Sequence, residues 1–206
     1  MCSRYLIDKG TLEALKEGFF EILAEEGEDY FLPFLSLRGD IRPSMTAPIL
    51  AREEDGRLHV HRSFWGFPGV EGKGLIINAR CETALEKRLF SESVQKRRCL
   101  IPAAGFYEWS ERKDPYFFAP KKEAQEKGRL LLMAGFYRKW EGKERFVILT
   151  TQANASVRGV HPRMPLILEL SEAKEWLRED CELSRLLSGK PEELAGEPLG
   201  QLSLFL

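Results

Sequence analysis

Seven short apolar or alternating runs, at residues 47–52, 57–61, 74–79, 98–107, 115–119, 129–137 and 145–151, are separated by Gly, Pro or charged turns. That pattern constrains the chain most. Runs of this length alternate or stay apolar over too few residues for helices and read as strands, so the centre is expected to be one mainly antiparallel β body. The chain has 206 residues, 43% of them apolar and 31% charged, enough to bury the core of one ordinary domain and unlike disordered or fibrous sequences. It contains no run of 18 apolar residues, and residues 1–30 lack the layout of a signal peptide, so a soluble, cytoplasmic protein is expected.

Helices are expected on the flanks of this body. Leu12, Leu15, Phe19, Ile22 and Leu23 recur at helical spacing, which predicts a helix over residues 11–26 with Thr11 as its cap. Thr83 and Glu86 have capping-box spacing before a helix that reaches residue 96, and Ser171 is placed to cap a helix through Trp176 and Leu177. The expected fold class is therefore α+β, with a single domain over residues 1–187. From Ser188 onward the composition turns to Gly, Pro and Glu, and residues 188–206 read as a mobile C-terminal tail.

The net charge of −1 hides a segregation. Residues 1–30 carry 3 basic and 8 acidic groups, residues 31–166 carry 24 and 15, and residues 167–206 carry 4 and 9. The excess of nine positive charges in the middle suits either a solvated surface or a polyanionic partner. Cysteines at 2, 81, 99 and 181 form no C-x-x-C pair, and His59 and His61 alternate on a strand without neighbouring carboxylates or thiolates. No metal site is expected from either set.

Cys2 is the most informative position. Removal of Met1 would leave an α-amine and a thiol on one residue, and an α-amine with a pKa of about 8 is partly neutral at physiological pH. Such an amine attacks aldehydes, and the neighbouring thiol can close the imine into a thiazolidine ring. Three other segments carry polar groups in suggestive settings. Asn78-Ala79-Arg80 follows an apolar run and precedes the helix signal, so its side chains emerge at a strand end. Glu108 lies between Tyr107 and Trp109, and a carboxyl group held against rings loses hydration, which suits general acid–base work. In His161-Pro162-Arg163-Met164-Pro165 two prolines fix the backbone that aims His161 and Arg163. Taken singly, each segment is more often a structural turn.

Together and in order, these pieces resemble the SOS response-associated peptidase (SRAP) family, in a bacterial-type member. The resemblance runs from Cys2 to about Leu168. It rests on Met1-Cys2-Ser3-Arg4, Arg42-Pro43 to Pro48, Trp65-Gly66, Asn78-Ala79-Arg80 with Glu82-Thr83, Arg98 to Pro102, Gly105 to Trp109, Ala134 to Tyr137 with Trp140, and His161 to Pro165. It implies a single domain around a β-barrel, loss of Met1, and covalent capture of abasic sites in single-stranded DNA without cofactor or metal. Cys2 would be the nucleophile, Asn78 would orient its amine and the sugar, Glu108 would shuttle protons, and His161 would assist sugar ring opening. Arg4, Arg80 and Arg163 would hold phosphates, and Trp65 would pack against a base or sugar.

The sequence departs from the family at Ser3, where glycine is usual, at Met45, where glutamine is common, at Cys81, which replaces an alanine, and in a shortened stretch after Gly66. The C-terminal Gln201-Leu202-Ser203-Leu204-Phe205 looks like a sliding-clamp-binding peptide: Leu202, Leu204 and Phe205 would fill an apolar pocket while Gln201 bonds at its rim. Association with the nucleoid during repair would follow. Two other functions compete: a thiol peptidase or amidase acting in trans, and a non-covalent adaptor at replication forks.

Overall fold

A computed structural model describes residues 2–19, 38–52, 56–121 and 130–200. In chain order these form β1 (Arg4–Ile7), α1 (Lys9–Gly18), β2 (Gly39–Ile41), β3 (Thr46–Arg52), β4 (Leu58–Trp65), β5 (Phe67–Pro68), β6 (Leu75–Ile76) and β7 (Asn78–Arg80). Next come α2 (Cys81–Ala84), α3 (Ser91–Lys96), β8 (Arg98–Ala103), β9 (Gly105–Trp109), β10 (Pro115–Ala119), β11 (Leu131–Trp140) and β12 (Lys143–Gln152). The rest are α4 (Ala155–Arg158), β13 (Arg163–Pro165), β14 (Ile167–Leu168), α5 (Leu170–Trp176), α6 (Leu183–Leu187) and β15 (Ala195–Pro198).

Five strands close into a barrel in the order β12, β4, β3, β8, β11 and back to β12. Four of the five pairings are antiparallel, and the parallel one sets Arg145 and Phe146 of β12 beside Phe64 and Trp65 of β4. Closure leaves no free edge among these five strands. Every residue of β8 is buried, because its inner face lines the barrel while α1 and α5 pack on it from outside. Short strands extend the barrel: β7 runs parallel to β12, setting Asn78 beside Ile148, and β13 pairs with β12, setting Arg163 beside Gln152.

A second, antiparallel sheet has the order β15-β10-β9-β1-β2. The chain passes into it from the barrel at Ala104, whose N–H donates to the Leu6 carbonyl at 2.8 Å. Gly105 permits this crossing, since a Cβ there would lie 2.4 Å from the ring of Phe117 and 2.5 Å from the Phe118 carbonyl oxygen. The run at residues 98–107 is thus two strands in two sheets. Alternation alone cannot reveal the change of partners.

Arg98 is buried and has no carboxylate partner among the described residues. Its guanidinium donates to the carbonyls of Val94 and Gln95 near the end of α3, and to those of Trp176 and Arg178 at the end of α5. Carbonyls at helix C-termini lack intrahelical partners and carry partial negative charge, so one arginine ties two helix ends to the barrel.

The helix starts differ from the sequence expectation. Asp8 caps α1: Thr11 N–H donates to Asp8 Oδ1 at 2.8 Å, and Asp8 N–H donates back to Thr11 Oγ1 at 3.2 Å. Thr11 is the reciprocal partner in that box. Residues 20–26 of the expected helix lie outside the described residues. At Thr83 no capping box forms, because β7 runs straight into α2 with Arg80 at the cap position and carries Thr83 into the first turn. The expected single helix there is α2 and α3 separated by turns. Glu169 caps α5 in a box with Glu172, where Ser171 was expected. Beyond Ser188 the chain rejoins the body: β15 pairs with β10, and Ala195 lies opposite Ala119. The expected clamp-binding residues Gln201, Leu202, Leu204 and Phe205 lie outside the described residues. No helix among the described residues is long and apolar enough to cross a membrane.

Candidate functional site

Cys2 leads directly into β1 and is fully buried. Its carbonyl accepts a hydrogen bond from Asn78 Nδ2 at 2.8 Å, so the first residue of β7 anchors the start of the chain. The other amide atom, Asn78 Oδ1, is buried and has no hydrogen-bond partner among the described residues. Burial, and secondarily the charge of Glu108, push the Cys2 thiol from its ordinary 9.0 up to about 12. It is therefore a neutral thiol near pH 7, with its sulfur 3.8 Å from the Arg4 carbonyl.

Glu108 is the penultimate residue of β9 and is 3% exposed, while the flanking Tyr107 and Trp109 are half-buried on the opposite face. Its Oε1 accepts from the Trp109 N–H at 3.3 Å, and its Oε2 lies 3.9 Å from His161 Nδ1. His161 stands in the turn between α4 and β13. Its Nδ1 is 3.0 Å from the Arg163 N–H and 2.9 Å from the Arg163 carbonyl. A neutral ring accepts from that N–H, and a charged ring faces the carbonyl and the Glu108 carboxylate. The four residues expected to carry the chemistry thus share one neighbourhood, brought from four separate segments of the chain.

The residues expected to contact DNA fare differently. Trp65 is fully buried: Phe146 stacks on it at 6.1 Å, Tyr5 packs at 5.2 Å, and its Nε1–H donates to the Ile77 carbonyl at 3.0 Å. No face is open to a base or sugar, because the alternation of β4 turns residue 65 inward. Arg4 is 8% exposed, ion-paired to Asp40, and its guanidinium lies 4.4 Å from the centre of the Tyr107 ring. Arg80 is exposed at the end of β7. Arg163 makes a bidentate pair with Glu82, at 2.6 and 3.0 Å, and also donates to the Thr150 carbonyl.

Sequence reasoning named Glu82 only as part of a motif and missed Asp40 and Thr150, which with it hold the buried Arg4 and the half-buried Arg163; it also missed the role of Tyr107. Burial, then Asp40, push the Tyr107 hydroxyl up to about 12. No local signal marks these partners; Glu82 and Arg163 are 81 positions apart. His61 pairs with Glu144 at 2.6 Å. No group of three or more His, Cys, Asp or Glu is placed to hold a metal among the described residues.

Comparison with known proteins places this arrangement in context. Bacteroides thetaiotaomicron and Bordetella bronchiseptica supply solved structures with the same fold. The former covers 98% of this chain and 94% of its own, with a TM-score of 0.76 and 23% identity. The latter, described as a phage-related protein, covers 97% and 95%, with a TM-score of 0.71 and 24% identity. By sequence, the abasic site processing protein YoqW of Bacillus subtilis is 34% identical over 86% of this chain and 80% of its own length. The abasic site processing protein YedK of Escherichia coli is 30% identical over 87% and 81%. Since residues 1–200 also match the family described as SOS response associated peptidase (SRAP), the chain belongs to that family.

Proposed function

We propose that the protein captures abasic sites in single-stranded DNA by forming a thiazolidine through Cys2 after Met1 is removed. One observation carries the reading: Cys2 is held at its carbonyl by Asn78, with the Glu108 carboxylate and His161 next to it. The names of the relatives, abasic site processing proteins, support the choice of substrate.

Water hydrolyses the Met1–Cys2 bond with Glu108 as proton carrier, releasing methionine and freeing the Cys2 amine. His161 moves the proton that opens the abasic sugar to its aldehyde. The amine adds to the aldehyde carbon, and loss of one water leaves an imine. The Cys2 sulfur then adds to that carbon while the thiol proton passes to the nitrogen, which closes the ring. Asn78 Oδ1 is free to accept a hydrogen bond from a sugar hydroxyl. Arg80 and Arg163 would steer the flanking phosphates.

A thiol peptidase acting in trans requires a thiolate at neutral pH, which needs a depressed thiol pKa. Burial moves Cys2 the opposite way. We further propose association with the nucleoid through docking of residues 201–205 on the sliding clamp, a reading supported by the Gln-Leu-Ser-Leu-Phe sequence of that segment.

Purified protein incubated with a single-stranded oligonucleotide carrying one abasic site should give a heat-stable adduct whose peptide map starts at Cys2. An identical adduct from Cys2→Ala, or an adduct that retains Met1, would overturn the proposal.

A further inference from the structure

We propose that Glu82 is an internal substitute for a DNA phosphate, occupying the fork of Arg163 in the free protein and displaced when a phosphodiester arrives. This rests on the reading of Arg163 as a phosphate ligand. The two carboxylate oxygens of Glu82 meet Nη1 and Nη2 of Arg163 at 2.6 and 3.0 Å, the bidentate geometry that a phosphate also takes.

The two partners are not equally fixed. The Arg163 side chain is 14% exposed and is held from behind by the Thr150 carbonyl and hydroxyl. The Glu82 side chain is 44% exposed on the short helix α2 and can rotate into solvent with no backbone change. A guanidinium this buried needs an anion in the absence of DNA, since an uncompensated charge there is costly. Glu82 supplies that anion. Its carboxyl is held below the usual range, chiefly by the Arg163 hydrogen bonds, so it stays charged near pH 7.

The pair between Arg4 and Asp40 contrasts with this one. The Arg4 and Asp40 side chains are 10% and 24% exposed, and Arg4 also lies over Tyr107. That pair belongs to the packed sheet. Glu82 instead sits between the exposed Arg80 and Arg163, where it lowers the positive charge met by incoming DNA. Intact strands then compete with a tethered carboxylate for Arg163, which favours strands that become covalently held.

Glu82→Gln, measured by fluorescence anisotropy in a Cys2→Ala background, should bind an intact single-stranded oligonucleotide about 2- to 5-fold more tightly. Its log K against log salt slope should steepen by about 0.7, because a phosphate at Arg163 now replaces no carboxylate. Glu82→Asp keeps the charge and should retain the parental slope. In an Arg163→Gln background the effect of Glu82→Gln should vanish. Unchanged or weaker binding by Glu82→Gln, or an effect that survives loss of Arg163, overturns the proposal. An absence of covalent adduct in the otherwise unchanged protein would refute the capture reading while leaving these binding results intact.

Discussion

Trp65 offers the sharpest discrimination between a nucleic-acid contact and a core residue. Its indole is fully buried between Phe146 and Tyr5, and its N–H donates to the Ile77 carbonyl. Truncation to alanine removes the stacked pairs and leaves a cavity, a loss of about 3–5 kcal/mol. Trp65→Phe keeps a ring, loses the hydrogen bond for about 1 kcal/mol, and loses about another 1 kcal/mol of buried apolar surface. For a domain of this size each kcal/mol corresponds to about 2–4 °C in Tm. The phenylalanine variant should therefore melt about 4–8 °C lower and the alanine variant about 6–20 °C lower. Thermal melts followed by far-ultraviolet circular dichroism provide the measurement. Affinity for an intact single strand, taken well below the melting range, should stay at the parental value for Trp65→Phe. An unchanged Tm together with several-fold weaker binding would place the indole against a nucleotide and refute the packing argument.

Three other perturbations test the site and its frame. Glu108→Gln should slow adduct formation by about 10²- to 10⁴-fold, the usual contribution of a positioned proton carrier; an unchanged rate would remove Glu108 from the chemistry. Gly105→Ala forces a methyl group against Phe117 and the Phe118 carbonyl, and a lower urea midpoint worth about 1–3 kcal/mol is expected. Burial raises the thiol of Cys81 from 9.0 to about 12 and holds that of Cys99 well above 9.0. The folded protein thus holds protons that the unfolded chain releases, so these groups stabilise fully below pH 9 and the stabilisation is lost as pH rises toward 12. The urea midpoint should fall across that window, and a flat profile would show both thiols to be solvated.

Much of the architecture was legible because burial leaves a local imprint. Each of the seven apolar runs contains strand in the structure, and residues 115–119 match β10 end to end. Alternation arises from the geometry of one strand against one core and needs no distant partner. Strands of two to four residues, such as β7 and β13, carry no readable period. Helix starts were harder to locate because several oxygens near each start can cap, and the direction from which the chain enters decides among them. Asp8 was chosen over Thr11, and Glu169 over Ser171.

For the site, residue type made Cys2, Asn78, Glu108 and His161 candidates, but each segment taken singly also suits a structural turn, and only the ordered resemblance to the SRAP family joined them. Only the tertiary structure decided what surrounds them. Closing the barrel lays β7 along β12, which aims Asn78 at the Cys2 carbonyl. The same packing buries Trp65, pairs Arg4 with Asp40, and sets Glu82 into the fork of Arg163. The sequence by itself determined which groups are available for chemistry, because that follows from the side chains. Whether an arginine meets a carboxylate or solvent, and whether a tryptophan meets a ring or a nucleotide, follows from contacts between residues far apart in the chain, which only the folded structure creates.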